Sequence, residues 1–174
     1  QHLADCLAVV EPMARQLRRG VSGQSSAAAD SLRVLDVGSG GGLPGVVLAV
    51  MFPHWQVVCV DTVGKKAAFI RQVAAELGLR NLAAEHARVE ALKDAPFDVI
   101  TSRAFASLVD FTRLSRPLLT PLGVWMAMKG KVPTQELSAL PDDVAVFHVE
   151  PLSVPGLDAE RCLVWMRAMD KDRR

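Results

Sequence analysis

Five glycines fall within the twelve residues 34–45, which read VLDVGSGGGLPG and lie between two apolar runs. A turn of residues without Cβ atoms is tight, and it lets a ligand touch the backbone. Gly40, Gly42 and Gly45 satisfy GxGxxG, the pattern that holds the phosphates of a dinucleotide. Read from Asp36, the same stretch spells D-x-G-x-G-x-G, in which a nucleoside without phosphates lies against bare backbone. Both readings place a nucleotide-like ligand on this turn.

Asp61 is the second candidate, because it ends the next predicted strand, QVVCVD, 19 residues after Gly42. A carboxylate at this point accepts two hydrogen bonds from ribose hydroxyls, each worth roughly 1.5–3 kcal/mol. The alternative is that Asp61 caps the helix that begins at Lys65. Its position opposite the glycine turn favours the ribose.

Strand and helix patterns alternate from Arg33 onward, which predicts right-handed crossovers and a parallel sheet. The last two strands, VAVFHVEPL and RCLVWMRA, have no helix between them, which predicts an antiparallel hairpin at one edge of the sheet. The predicted strands are 34–37, 56–61, about 82–87, 97–102, 124–129, 144–152 and 161–168, and the predicted helices are 44–51, 65–78, 107–119 and 134–140.

A helical flank precedes this core. Residues 2–19 place apolar side chains at helical spacing, and Pro12 predicts a break into two short helices. The segment GVSGQSSAAADS at 20–31 is small, polar and without periodicity, which is typical of a flexible connector. We therefore expect one domain over 1–174, with a flank at 1–19, a connector at 20–31 and a core at 33–168.

Composition leaves the class of partner open. The 174 residues are 50% hydrophobic and 22% charged, enough for a full core, and the formal net charge is +1. A nucleic-acid surface must therefore be a local patch. There is no apolar run of membrane-spanning length and no secretory signal. Cys6, Cys59 and Cys162 lack metal-ligand spacing, so we expect no metal, buried reduced thiols and a cytoplasmic protein.

Ligands of open parallel sheets bind at the carboxyl ends of the strands, so residues just after each strand are candidates. Arg103 directly follows the apolar strand FDVITS. An unpaired charge there is costly unless it faces a cleft or a ligand.

Four further stretches carry a specific resemblance: ARVEAL at 87–92, ITSRAFASL at 100–108, MAMKG at 126–130, and the glycine turn read from Asp36. The turn resembles the first motif of class I S-adenosylmethionine-dependent methyltransferases. Together the stretches resemble the bacterial 16S ribosomal RNA guanine-N7 methyltransferases, also called glucose-inhibited division protein B. The opening HLADCL, the segment KKAAFIRQVAAELGL and the late VPGLDAERCLV extend the likeness over nearly the whole chain. Family members carry a further helical stretch before HLADCL, and many have proline or alanine at the position of Gly41.

The resemblance implies an α/β fold, the Rossmann-like fold of these methyltransferases, with a mostly parallel seven-stranded sheet and an antiparallel C-terminal hairpin. It also implies S-adenosylmethionine as the cofactor, with Val89 and Glu90 flanking its adenine and Asp61 at its ribose. Arg103 would lie after the fourth strand, at both cofactor and substrate. The turn would contribute Gly38, Ser39, Gly40, Gly42 and Leu43.

The implied reaction is methyl transfer to N7 of a guanine in 16S ribosomal RNA, within the 30S subunit or its precursor, by a monomer. N7 carries a lone pair and no proton, so no general base is needed, and catalysis rests on positioning. Arg103 would orient the guanine, with Lys129 and Arg88 as phosphate clamps. Phe105 either stacks on the base or lies in the core, Glu90 alternatively caps a turn, and Arg88 alternatively pairs with Glu90 in solvent. An NAD-dependent oxidoreductase and a nucleotide-sensing module are the alternative functions.

Overall fold

The computed structural model describes residues 2–20, 31–38, 44–103, 107–153 and 160–169, with the backbone alone for 2–5 and 18–20. Five helices and seven strands occur in these ranges, with short 3-10 turns at Val89–Ala91 and Arg116–Leu118. The helices are α1 His2–Gly20, α2 Gly45–Met51, α3 Gly64–Leu77, α4 Leu108–Ser115 and α5 Thr134–Ser138. The strands are β1 Arg33–Val37, β2 Gln56–Asp61, β3 Leu82–His86, β4 Phe97–Ser102, β5 Leu119–Lys129, β6 Val144–Leu152 and β7 Arg161–Ala168.

The seven strands form one sheet in the order β3-β2-β1-β4-β5-β7-β6. The first five strands of this order pair in parallel, and β7 runs antiparallel to both β5 and β6. The chain builds outward from β1 to β3 and then returns to place β4 on the other side of β1. The strand order therefore reverses between β1 and β4, and open α/β sheets bind ligands at the carboxyl ends of the strands beside such a point.

Apolar layers cover both faces of the sheet because side chains alternate along each strand. On β1, Val34 points to the face that packs against α1, α2 and α3, and Leu35 points to the face that packs against α4. On β2, Val57 and Val58 divide in the same way. The central strands are thus buried on both sides, and their polar contacts to ligands are confined to the strand ends.

The predicted break at Pro12 is wrong. A single helix runs from His2 to Gly20 with Pro12 inside it. A proline costs one backbone hydrogen bond and distorts the turn before it. Here Val9 and Met13 are fully buried on either side of Pro12. Their packing against the core holds the helix together through the proline.

Two further bounds differ from the prediction around Pro117. The helix predicted for 107–119 ends at Ser115, and β5 starts at Leu119 rather than at residue 124. Pro117 has no N–H to donate to the carbonyl four residues before it, so the α-helix ends ahead of it and the chain continues as the 3-10 turn Arg116–Leu118. Strand pairing of Phe97 with Leu119 then extends β5 toward its start.

The three cysteines are buried, as predicted, and none of them forms a disulfide within the part of the chain that the structure describes. None of the helices in the described ranges is long and apolar enough to cross a membrane. The predicted connector lies largely outside the described residues, since α1 reaches Gly20 and the description resumes at residue 31.

Candidate active site

A cleft of about 350 Å³ opens at the carboxyl ends of β1, β2 and β3. It lies at the edge of the sheet where the order of strands predicts a ligand. The cleft brings together five residues that the sequence proposed for one site, namely Gly38, Asp61, Arg88, Val89 and Glu90.

Gly38 begins the glycine turn in a conformation that requires glycine. Its φ is +64°, and its amide donates to the Val60 carbonyl at 2.9 Å, which ties the turn to β2. A side chain at this φ is strained. Its chain neighbours aside, no atom of the described residues lies within 4 Å of the place where a Cβ would stand. The backbone here is open to a ligand; Ser39, Gly40, Gly42 and Leu43 lie outside the described residues.

Asp61 ends β2 and is 6% exposed. Its Oδ1 accepts a hydrogen bond from the Val63 amide at 2.8 Å, which shapes the turn before α3. The helix starts at Gly64 with Val63 as its N-cap and without a side-chain cap, so Asp61 orders the approach to the helix rather than capping it. The Asp61 carbonyl also accepts from the Ala87 amide at 3.0 Å. This second bond fixes the loop that carries Val89.

Val89 and Glu90 belong to the 3-10 turn Val89–Ala91 and line the same cleft as Gly38. Val89 is buried and Glu90 is exposed. The Arg88 guanidinium lies 3.9 Å from Glu90 Oε1, with the arginine side chain 77% exposed. The structure shows Arg88 as a solvent-exposed partner of Glu90, and its role as a phosphate clamp stays a prediction. A pair this open contributes little to stability.

Asp36 is fully buried at the end of β1, beneath the glycine turn. Its Oδ2 accepts from the Gly45 amide at 2.8 Å, and Oδ1 has no hydrogen-bond partner among the described residues. Burial raises the pKa of Asp36 to about 7; the Gly45 hydrogen bond and the positive charge of Arg103 oppose this rise, and the charge of Asp61 adds to it. The carboxyl of the glycine motif thus links the cleft electrostatically to Arg103.

Gly45 has a packing role that the sequence pattern did not separate from ligand binding. A Cβ on Gly45 would overlap the Cys59 thiol and lie 2.9 Å from Asp36 Oδ2. The helix α2 can therefore approach β1 and β2 only because this residue has no side chain. Of the glycines in GxGxxG, this one serves the contact between helix and sheet.

A second, smaller recess lies beside the cleft, at the carboxyl ends of β4 and β5. It is lined by Arg103 and Lys129 together with Ser102, Ser107, Leu108, Phe111, Ala127 and Met128. The Ser102 hydroxyl donates to the Val37 carbonyl at 3.0 Å, so the ends of β1 and β4 are held together. The structure thus gathers the candidate substrate residues Arg103 and Lys129 in one place and leaves Arg88 in the neighbouring cleft.

The two cations of the recess differ in their partners. The buried Nη1 of Arg103 has no hydrogen-bond partner among the described residues. Lys129 Nζ lies 3.0 Å from Glu136 Oε1 on α5. Sequence reasoning missed Glu136, because it follows no strand directly and is brought to the recess only by the turn after β5. Phe105, the remaining candidate, lies outside the described residues.

Comparison with known proteins decides between the two readings of the glycine turn. The family model described as rRNA small subunit methyltransferase G, or GidB, matches residues 1–164. The chain belongs to this family. It is 63% identical over 167 residues to ribosomal RNA small subunit methyltransferase G of Leptothrix cholodnii, covering 96% of this chain and 72% of the relative. The protein of the same name from Methylibium petroleiphilum is 61% identical over 166 residues, covering 95% of this chain and 71% of the relative.

Solved structures agree on the fold. TrmN from Thermus thermophilus superimposes with a TM-score of 0.68 at 22% identity, covering 90% of this chain and 48% of that one. Coclaurine N-methyltransferase bound to N-methylheliamine and SAH superimposes with a TM-score of 0.66 at 11% identity. The match covers 88% of this chain and 70% of that one. The predicted S-adenosylmethionine-dependent methyltransferase fold is confirmed, and so is the predicted class of enzyme. The NAD-dependent oxidoreductase reading finds no support in these similarities.

Proposed function

We propose that this protein transfers the methyl group of S-adenosylmethionine to N7 of a guanine in 16S ribosomal RNA. The observation that carries the proposal is the cleft at the reversal of strand order, which gathers Gly38, Asp61, Val89 and Glu90 in a member of the small-subunit rRNA methyltransferase family. The same four residues were proposed from the sequence to hold the cofactor.

The residues of the cleft fit S-adenosylmethionine. The open backbone at Gly38 leaves room for a ligand against the turn. Asp61 presents a carboxylate at the end of β2, where it would accept hydrogen bonds from ribose hydroxyls, and buried Val89 offers an apolar contact for adenine. The bound cofactor supplies a sulfonium carbon that is open to attack by a nucleophile. The protein's part is to hold that carbon in line with the base.

No residue is needed to remove a proton, since the lone pair of guanine N7 attacks directly and the product ring is cationic. Asp36, the carboxyl whose pKa is raised furthest among the described residues, is fully buried and bonded to the Gly45 amide, so it supports the turn rather than acting as a base. Arg103 is placed to orient the guanine through O6 or a neighbouring phosphate, because arginine offers a planar set of donors. Lys129 would take a second phosphate once the base is splayed out of the RNA.

We further propose that the substrate is RNA within the 30S subunit or its precursor, that the enzyme acts as a monomer and that it is cytoplasmic. A net charge of +1 provides no strong general field toward RNA. The shape of an assembled particle would then supply contacts that charge does not. Equal initial rates of methyl transfer to intact 30S particles and to the same RNA stripped of protein would count against this part.

The experiment that tests the proposal measures tritiated methyl transfer to small-subunit RNA by the wild type and by Arg103→Ala. We expect the variant to lose at least about a hundredfold in rate, the usual cost of removing a positioning or charge-stabilising group. Calorimetry should show that it still binds S-adenosylmethionine at least partly. The matched control is Arg113→Ala, which removes an exposed arginine paired with Asp110 on α4. Full activity of Arg103→Ala would remove Arg103 from the proposed site.

A further inference from the structure

Glu136 lies where three elements meet. Its Oε1 accepts hydrogen bonds from the Leu108 amide, at the start of α4, at 2.9 Å and from Lys129 Nζ, at the end of β5, at 3.0 Å. The carboxylate itself sits on α5, a helix of five residues. This one oxygen atom therefore fixes the position of Lys129 relative to the start of α4.

The pair between Glu136 and Lys129 is shielded on the lysine side. The Lys129 side chain is 17% exposed and that of Glu136 is 31% exposed. Exposed pairs such as Arg88 with Glu90 are largely screened by water, whereas a partly buried pair is screened much less. The positive charge of Lys129 is thus largely neutralised before any RNA arrives.

We propose that Glu136 is a specificity-determining residue that acts through Lys129, an inference that rests on the proposed RNA substrate. In the free enzyme it neutralises Lys129, so RNA phosphates that approach at random gain little from this lysine. The recess, at about 10 Å³, is too small to enclose a phosphate, so a phosphate that docks at its mouth beside Arg103 takes over the Nζ donors of Lys129. Glu136 remains bonded to the Leu108 amide, which keeps α4 in place throughout.

The physical basis is the origin of non-specific RNA binding. Each unpaired lysine that contacts a phosphate releases a counterion, which raises affinity for any RNA and steepens its dependence on salt. A lysine that is already paired with a carboxylate adds neither to the affinity for RNA nor to the steepness of its salt dependence. Pairing Lys129 therefore lowers affinity for wrong RNA without removing the lysine from the site, so specificity comes from withholding an attractive contact from the wrong partner.

A double-mutant cycle tests the inference with wild type, Glu136→Gln, Lys129→Met and the double variant. Glutamine keeps an oxygen acceptor for the Leu108 amide and removes only the charge. The readout is the affinity for an unrelated single-stranded RNA, measured by fluorescence anisotropy at several salt concentrations. We expect Glu136→Gln to bind this RNA about twofold to fivefold tighter, the range of an ion pair's contribution. Its salt slope should be steeper by about 0.7, as for one added phosphate contact on a single strand.

In the Lys129→Met background the same glutamine substitution relieves only the repulsion of an unpaired carboxylate, so it should leave the salt slope unchanged, because no lysine is freed to contact a phosphate. The matched control is Asp94→Asn, which removes a carboxylate from a pair with Arg33 at the opposite end of the sheet and changes net charge equally. An unchanged affinity in Glu136→Gln overturns the inference. So does an equal steepening of the salt slope without Lys129, or a gain in affinity that Asp94→Asn reproduces, since either reports net charge alone.

Lys129→Met by itself provides a second test that does not depend on the folding of Glu136→Gln. Because it leaves the Glu136 carboxylate without its cation, it should weaken binding of unrelated RNA only by the repulsion of that carboxylate, and it should raise KM for methyl transfer to 30S particles by a larger factor. Equal losses on both RNAs would overturn the inference. These binding measurements are separate from the methylation assay, so a wild type that fails to methylate small-subunit RNA would count against the proposed function alone.

Discussion

The raised pKa of Asp36 makes the stability of the fold depend on pH. Its pKa of about 7 means that the folded protein keeps a proton on Asp36 between pH 4 and 7, whereas the unfolded chain releases it. The folded state then binds more protons, so the free energy of unfolding falls as pH rises through this range. The slope from this one group is at most about 1.4 kcal/mol per pH unit.

The substitution Asp36→Asn should abolish this contribution, because asparagine keeps an oxygen for the Gly45 amide and never ionises. We expect the variant to gain stability relative to wild type on going from pH 5 to pH 8. Urea unfolding of both proteins at the two pH values measures the difference, in which the other titrating groups cancel. Parallel pH dependence of the two proteins would show that Asp36 does not titrate in this range.

Asp61 accepts a hydrogen bond from the Val63 amide and is proposed to accept others from the ribose. Two substitutions separate the effects of these contacts. Asp61→Asn keeps an acceptor for Val63 and loses the charge and one acceptor, so calorimetry should show about tenfold weaker binding of S-adenosylmethionine. Asp61→Ala loses both contacts and should bind more weakly still. The exposed Asp94→Asn serves as the control. Wild-type affinity in Asp61→Asn would leave Asp61 only its role in the turn.

At the scale of elements, the contact of α2 with β1 and β2 depends on one missing side chain. Gly45→Ala should destabilise the fold by about 1–3 kcal/mol, the usual cost of forcing a methyl group into a packed site. The obstacles are the Cys59 thiol and the Asp36 carboxylate, both on buried strands. Chemical denaturation measures the loss.

Gly64→Ala is the matched control, since Gly64 begins α3 and a Cβ there would come no closer than 3.3 Å to the exposed ring of His86. It should change the free energy of unfolding by less than about 1 kcal/mol, because that ring can move and alanine favours a helix. If both variants lost equal stability, the close approach at Gly45 would not be the cause.

Elements with strong local patterns were predictable from the sequence. The bounds of β2, β4, β6 and β7 match the predicted 56–61, 97–102, 144–152 and 161–168. The prediction failed where packing overrides a local rule, as at Pro12, whose helix is held by buried neighbours on both sides. Glu136 was missed for a related reason, because no local spacing shows that α5 folds back onto the end of β5.

At the scale of the whole molecule, topology explains why residues far apart in the chain form one site. The reversal of strand order beside β1 brings Gly38, Asp61 and Val89 to one cleft and places Arg103 and Lys129 in the recess beside it. The alternation of strands and helices was enough to predict this edge of the sheet. It was not enough to predict which cation is already paired, since that depends on the contact with Glu136.

The central claim is that this fold methylates guanine N7 in small-subunit ribosomal RNA, and the identity of the methylated nucleoside tests it most directly. Intact 30S particles that lack the modification would be incubated with the wild-type protein and tritiated S-adenosylmethionine, and the RNA would be digested to nucleosides. We predict that the label co-migrates with 7-methylguanosine. Label in any other nucleoside, or no label in 16S RNA at all, would contradict the account.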